Sequence, residues 1–304
     1  MSERYSGVVI LNKENGMTSH DAVNRMRRIF KTKKVGHTGT LDPMATGVLP
    51  ILVGNAVKAS SFLVSDSKCY RAGMILGITT DTEDTSGKVL TENTVNLSDE
   101  SVISAINSFL GESFQTPPMY SAIKVDGKKL YDLARAGIEI EREKRRIFID
   151  RIWDIVKISD VEWQFSVSVS KGTYIRTLTS DIGAMLGVGG AMSSLLRLQS
   201  GNFTIERAYT LSELEALSEE DRLGEAVIET EELFRECPAV SFAKFYSKLA
   251  RSGQPIYSSR AKLELPKIGT RLRLYDENGV FFALGEVIEL DGELCAKSIK
   301  MFDV

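Results

Sequence analysis

The sequence predicts an α+β protein with a larger mixed body and a small, mostly β terminal part, and three observations carry that prediction. From Val161 to Ser170 the residues alternate. Val161, Trp163, Phe165, Val167 and Val169 face one way and Glu162, Gln164, Ser166, Ser168 and Ser170 the other, the period of a half-buried strand. Elsewhere apolar residues recur at helical spacing, as in Val23, Met26, Ile29 and Phe30, or Val102, Ile106 and Phe109. After Cys237-Pro238 the strand-like runs Arg271 to Tyr275, Val280 to Ile288 and Leu294 to Ile299 follow closely on one another, which divides the chain into residues 1–236 and 237–304.

Taken in order, Val8 to Leu11 reads as a short strand, Asn15-Gly16 as a turn, and Thr18 or Ser19 as the cap of the first helix. Apolar strands follow at Val48 to Val53 and at Lys68 to Gly77, the second with Tyr70, Ala72, Met74 and Leu76 on one side. Thr79 to Gly87 reads as a polar, hydrogen-bonded turn, since its carboxylates lack the EF-hand pattern. A helix starts near Ser98 and stops before Gly111. Pro117-Pro118 then opens a hairpin or insertion in which aromatic and basic residues interleave from Tyr120 through Lys124 to Tyr131, a mixture suited to stacking and phosphate contact and equally to a plain surface loop. Strand Ile147 to Ile158 turns at Ser159-Asp160 into the alternating strand. Thr173 is the expected cap of a helix with the stripe Ile175, Leu178, Ile182 and Met185, and Ala191 to Leu198 is an apolar segment beyond Gly187 to Gly190. Leu211 to Phe234 reads as acidic helices on a solvated exterior, Val240 to Arg251 as an amphipathic helix, and Asp276 to Gly279 as a hairpin turn.

Composition narrows the function. With 304 residues and 43% hydrophobic content the chain can bury a sizeable core. It contains no apolar run of about 18 residues, and its start, MSERYSG, carries no apolar leader, so the expected place is the cytoplasm. Three scattered cysteines and two histidines exclude a disulfide framework and a histidine-rich metal site. The formal net charge is -3, yet residues 212–236 alone hold -8, leaving +5 for the remainder. Six basic residues between Arg25 and Lys34, immediately before the Asp42 loop, suggest by that position a phosphate-facing patch, or else a solvated helix face.

The stretch Lys33 to Lys58 concentrates the candidate chemistry. It places Asp42 between a Gly- and Thr-rich approach and a proline, with the Val48 to Val53 strand behind, a plausible mount for a reacting carboxylate and also an ordinary Asp-Pro turn. Arg176, in the first turn of its helix, opposes the helix dipole and therefore needs a partner such as a carboxylate.

Gly36-His37-Thr38-Gly39-Thr40-Leu41-Asp42-Pro43, followed by Thr46-Gly47-Val48-Leu49, resembles the bacterial tRNA pseudouridine-55 synthases of the TruB family. The likeness continues through Asn12-Lys13, Thr18 to Asp21, Lys68 to Tyr70, Pro117 to Tyr131, Lys171 to Arg176 and Ala191 to Gly201, and the terminal part resembles a PUA-like RNA-binding domain. The resemblance implies a pseudouridine-synthase fold with a mixed, mainly antiparallel sheet and a thumb-like insertion near 117–146. It implies Asp42 as catalytic aspartate, Tyr70 as the aromatic under the target base, Arg176 as charge partner and Leu195 as apolar wall, with His37 beside the flipped nucleotide and Lys124 on the RNA backbone. The expected substrate is the tRNA T-arm, met by a monomer without membrane, obligatory protein partner, cofactor or metal. Two other classes fit parts of the sequence: a noncatalytic RNA-binding module, and a glycoside hydrolase, which requires a second carboxylate.

Overall fold

The computed structural model describes residues 4–63, 67–121, 123–125 and 127–302. In the larger body, strand β1 (Gly7–Lys13) leads into helix α1 (Ser19–Ile29), then β2 (Val35–His37), β3 (Thr46–Val53), β4 (Ser67–Leu76) and the ribbon β5 (Ile78–Thr80) with β6 (Val89–Glu92). Helix α2 (Asp99–Asn107) and β7 (Gly111–Gln115) precede the insertion, which holds β8 (Lys124–Val125), β9 (Lys128–Lys129) and α3 (Leu130–Arg135). After it come β10 (Arg145–Lys157), β11 (Glu162–Ser170), α4 (Ile175–Met185), β12 (Gly190–Ser200), β13 (Phe203–Thr204), α5 (Leu211–Glu219) and β14 (Ile228–Glu229). Ten of these strands form one sheet in the order β14-β1-β3-β12-β4-β11-β10-β7, with β2 and β13 attached at its side.

Among the described residues the sheet is antiparallel except between β12 and β3, where Leu196 faces Thr46 and Arg197 faces Gly47. Gly47 has φ +95°, and a Cβ there would collide with the carbonyl oxygen of Arg197, so only glycine fits the junction. Strand β1 is buried along both faces, and α4 lies across β12. Each fully buried aliphatic side chain in this layer contributes about 1.5–3 kcal/mol relative to exposure.

The helix starts follow local chemistry. Thr18 and Asp21 form a reciprocal capping box on α1, and Ser98 caps α2. Thr173 does not cap α4. The cap position is Tyr174, whose N–H and C=O are both bonded by the buried amide of Gln115, at 2.8 and 3.0 Å, so a side chain from β7 replaces the local hydroxyl. Met185, expected on the apolar stripe, is 59% exposed because α4 ends where the sheet no longer covers it.

Three sequence expectations are corrected by packing. The acidic segment is not a solvated exterior: Leu211, Leu214, Leu223 and Ala226 join the main core, and β14 extends the sheet beside β1. It also lies on α1, where Glu215 pairs with Arg25 at 3.2 Å. The basic run does not border Asp42. Lys34 accepts from Gly54 at the far end of β3, about 23 Å along the strand from Thr46 at the usual rise per residue. Finally, Val240 belongs to a strand, because the amphipathic helix begins only at Lys244.

The second sheet, β15 (Ala239–Ser241), β16 (Ile256–Tyr257), β17 (Arg271–Tyr275), β18 (Phe281–Leu290) and β19 (Glu293–Met301), runs in the order β15-β17-β18-β19-β16 and wraps its own core with helix α6 (Lys244–Arg251). It matches the PUA-like unit that the resemblance implies. An aromatic seam joins it to the body, with Phe234, Phe281 and Phe302 packed against Ala59, Phe62 and Leu63.

Candidate active site

The loop between β2 and β3 carries Asp42, and buried side chains from three other elements fasten it. Lys13, at the end of β1 and fully withdrawn from solvent, donates from Nζ to the carbonyls of Glu14 and Met17 at 2.8 Å and of Pro43 at 3.2 Å. Its three N–H groups thereby tie the Asn15-Gly16 turn to the residue after Asp42. Ser19 of α1 holds the residue before it: Leu41 N–H donates to Ser19 Oγ at 2.8 Å, and the hydroxyl lies 3.1 Å from the Leu41 carbonyl. Arg197 of β12 donates to the carbonyls of Gly39, Thr40 and Val48. A carboxylate on a loop pinned on both sides keeps its direction without help from substrate.

Arg176 meets that carboxylate, its Nε lying 3.0 Å from Asp42 Oδ2. The guanidinium is otherwise sheathed, with Nη1 donating to the Thr82 carbonyl at 3.2 Å and Nη2 to the Tyr120 carbonyl at 2.8 Å. A second carboxylate, Asp84, stands 3.7 Å from Nη1, its side chain only 5% exposed against 39% for Asp42. Its Oδ1 is occupied by the Thr82 hydroxyl at 2.8 Å and the Ser86 N–H at 3.0 Å. Burial pushes the Asp42 carboxyl above its ordinary range and Asp84 adds to the rise, while Arg176 and Lys13 oppose it. One arginine thus serves an open carboxylate and a closed one, and only Asp42 has a face free for a reactant.

That face looks into a cleft of about 820 Å³ lined by Asp42, Tyr70, Leu195, Val169, Tyr120 and Arg176 among others. Tyr70 is 8% exposed, and its buried hydroxyl is held above the ordinary phenol range by desolvation, against the pull of Arg197. Asp42, Tyr70, Arg176 and Leu195, drawn from four separate segments, therefore share one cleft. His37 does not join them among the described residues. It sits on β2 opposite Ile51, half-buried, with Nδ1 buried and lacking a hydrogen-bond partner, and burial lowers its pKa below the ordinary imidazole value. Lys124 lies on β8, and its side chain is outside the described residues.

A family model described as TruB family pseudouridylate synthase (N terminal domain) matches residues 27–175, and one described as tRNA pseudouridylate synthase B C-terminal domain matches residues 176–235. Similar proteins named tRNA pseudouridine synthase B include one from Clostridium perfringens, 42% identical over 92% of this chain and 95% of its own. Another, from Bacillus subtilis, is 41% identical over 92% of each chain. The chain belongs to the TruB family.

The solved structure titled "Crystal Structure of a Cbf5-Nop10-Gar1 Complex" contains a chain that is 26% identical with a TM-score of 0.68, over 97% of this chain and 84% of that one. A chain in a structure of an H/ACA RNP bound to a substrate RNA containing 2'-deoxyuridine, 24% identical at a TM-score of 0.70 over 98% of this chain and 85% of that one, shares the fold. Three residues of this TruB-family site escaped sequence reasoning: Lys13, Asp84 and Arg197. Asp84 was absorbed into a polar turn, since the eight acids and hydroxyls in a row from Thr79 to Ser86 give no hint which one is buried. Lys13 and Arg197 carried a usable signal, a lone cation inside or ending an apolar strand, which burial forces to find partners.

Proposed function

We propose that this TruB-family chain isomerises uridine to pseudouridine in tRNA, at position 55 of the T-loop, and that the pairing of Asp42 with Arg176 at 3.0 Å on the floor of the cleft carries the reading. The reaction breaks the N1 to C1' bond, turns the uracil, and joins C5 to C1'; C5 loses a proton and N1 gains one, so the formula is unchanged. Asp42 supplies the carboxylate at the sugar, Arg176 orients it, Tyr70 stacks on the base and Leu195 retains it. The target base must leave the loop's stack, at a cost of a few kcal/mol offset by contacts to the nucleotide and backbone. His37 and Lys124 serve those contacts, with His37 acting by position, since burial disfavours its charged form. Residues 1–236 form the catalytic domain and residues 237–304 the PUA-like RNA-binding domain, and the protein works in the cytoplasm as a monomer without an obligatory protein partner. Among the described residues no helix is long and apolar enough to cross a membrane.

The site contains a second carboxylate, which the glycoside-hydrolase alternative requires, but Asp84 is closed off by Thr82 and Ser86 and cannot face a sugar as an acid. The deciding experiment incubates the protein and Asp42→Asn with an unmodified tRNA transcript, without metal or nucleotide, and maps pseudouridine by position. Product at uridine 55 from the unsubstituted protein alone is expected. Free uracil would favour the hydrolase; no product despite tRNA binding would favour a binding module.

A further inference from the structure

Arg197 is among the largest fully buried side chains of the described residues, at 1% exposure. A buried guanidinium persists only where its donors are satisfied. Its charge meets no carboxylate among the described residues. Instead Nε donates to the Val48 carbonyl at 2.6 Å, Nη1 to Thr40 at 3.3 Å and Nη2 to Gly39 at 3.2 Å, so its acceptors flank Asp42 in sequence on both sides. The register explains the reach. Arg197 stands opposite Gly47 across the parallel junction and opposite Tyr70 across the antiparallel one, the same residue bridging the strand behind Asp42 and the strand that bears Tyr70. On that second side the direct register puts the two side chains on one face of the sheet, where the guanidinium opposes the rise that burial gives the Tyr70 hydroxyl's pKa.

We infer that Arg197 is a positioning residue for the reaction: one buried guanidinium sets the Asp42 loop and the Tyr70 hydroxyl against each other. The geometry has a chemical consequence. Arginine has no acceptor, so toward Tyr70 it can act only as a donor to the phenol oxygen. Tyr70 and Asp42 line the same cleft, and Arg197 reaches the backbone beside one and stands opposite the other, so the placing of the two groups runs through it. Holding reacting groups at one separation is worth large factors in rate, and small displacements lose them.

The inference rests on the proposed isomerisation, and its test separates the two. Arg197→Lys keeps the charge and loses the fork; Arg197→Gln keeps a donor and loses the charge. Each is measured for melting temperature, tRNA affinity and single-turnover pseudouridine formation. For the folded variants the rate is expected to fall at least about tenfold, while tRNA affinity stays within about twofold. The same substitutions placed on Tyr70→Phe are expected to lower the remaining rate much less, because the group through which Arg197 acts is already gone. Equal fractional losses in both backgrounds, or an unchanged rate in the Lys and Gln variants, would overturn the inference. Should neither variant fold, arginine-15N spectra of the unsubstituted protein and Tyr70→Phe still decide it. A slowly exchanging side-chain signal is expected to shift on loss of the hydroxyl, and superimposable spectra would overturn the pairing. Because those spectra need no turnover, they report on Arg197 even if no pseudouridine forms.

Discussion

The loop that carries Asp42 and the insertion that faces it across the cleft are both irregular, yet they are held in opposite ways. The Asp42 loop takes its bonds from distant elements: Lys13 from β1, Ser19 from α1, Arg197 from β12 and Arg176 from α4. The insertion takes many of its bonds from itself, Leu130 N–H to the Ile123 carbonyl, Tyr131 N–H to Ser121, and Arg142 to Pro117. Its two-residue strands and six-residue helix bury little of their own. Local bonding of that kind opens at low free energy, whereas a loop tied into the core opens only with the core. The contrast teaches a division of labour: the side that carries the proposed catalytic carboxylate is fixed, and the insertion opposite it is free to adapt. Arg176 spans the division, since it holds Asp42 through Nε and the Tyr120 carbonyl at the root of the insertion through Nη2.

The largest effect should come from the fixed side. Asp42→Asn is expected to lower single-turnover pseudouridine formation by about 10³-fold or more with tRNA affinity retained; a loss confined to affinity would mean that Asp42 only shapes the loop. Arg176→Lys should lower turnover by about 100-fold. Removing the guanidinium altogether also carries a folding loss. Arg176→Ala leaves Asp84 buried with its charge unmet, so a stability loss of about 3 kcal/mol is expected in denaturant unfolding.

Lys13 sharpens the comparison through pH. Desolvation brings its pKa down to about 8. Losing the proton leaves two N–H donors for three carbonyls, so turnover should decline as pH rises through about 8, and Lys13→Met should show a lower rate without that limb. Stability moves the other way. The unfolded chain keeps the lysine proton up to its ordinary pKa of about 10.4 while the folded one releases it earlier, so this group's contribution to stability rises with pH between the two values. Parallel rate and unfolding profiles would show the opposed slopes; slopes of one sign would remove Lys13 from the fastening of the loop. On the adaptable side, Lys124→Ala should weaken tRNA binding only about threefold and reduce the salt slope by about one, with turnover at saturating tRNA unchanged.

Local signals made much of this legible. The capping box at Thr18, the alternation from Val161 to Ser170 and the hairpin at Asp276 to Gly279 each depend on neighbours in sequence, and each was readable. Tyr174 was not, because its capping partner, Gln115, lies 59 positions away. The same reason separates the site residues. Asp42 and Tyr70 sit in stretches with their own character, whereas Lys13, Asp84 and Arg197 become functional only through tertiary partners that no window of sequence contains. The basic run from Arg25 to Lys34 misled by adjacency: it stands next to the Asp42 loop in sequence and at the other end of β3 in space.

The parallel junction of β3 with β12 also sets a timetable. Thr40 and the arginine that fastens it are 157 positions apart, so on a ribosome adding 5–20 residues per second the Asp42 loop emerges roughly 8–30 seconds before its clasp. Through most of that interval the loop has only its N-terminal fasteners, Lys13 and Ser19, and contacts of such long range as the Arg197 clasp form slowly even once both ends are out. The cleft's full set of fasteners is therefore complete only once β12 has been made and paired with β3.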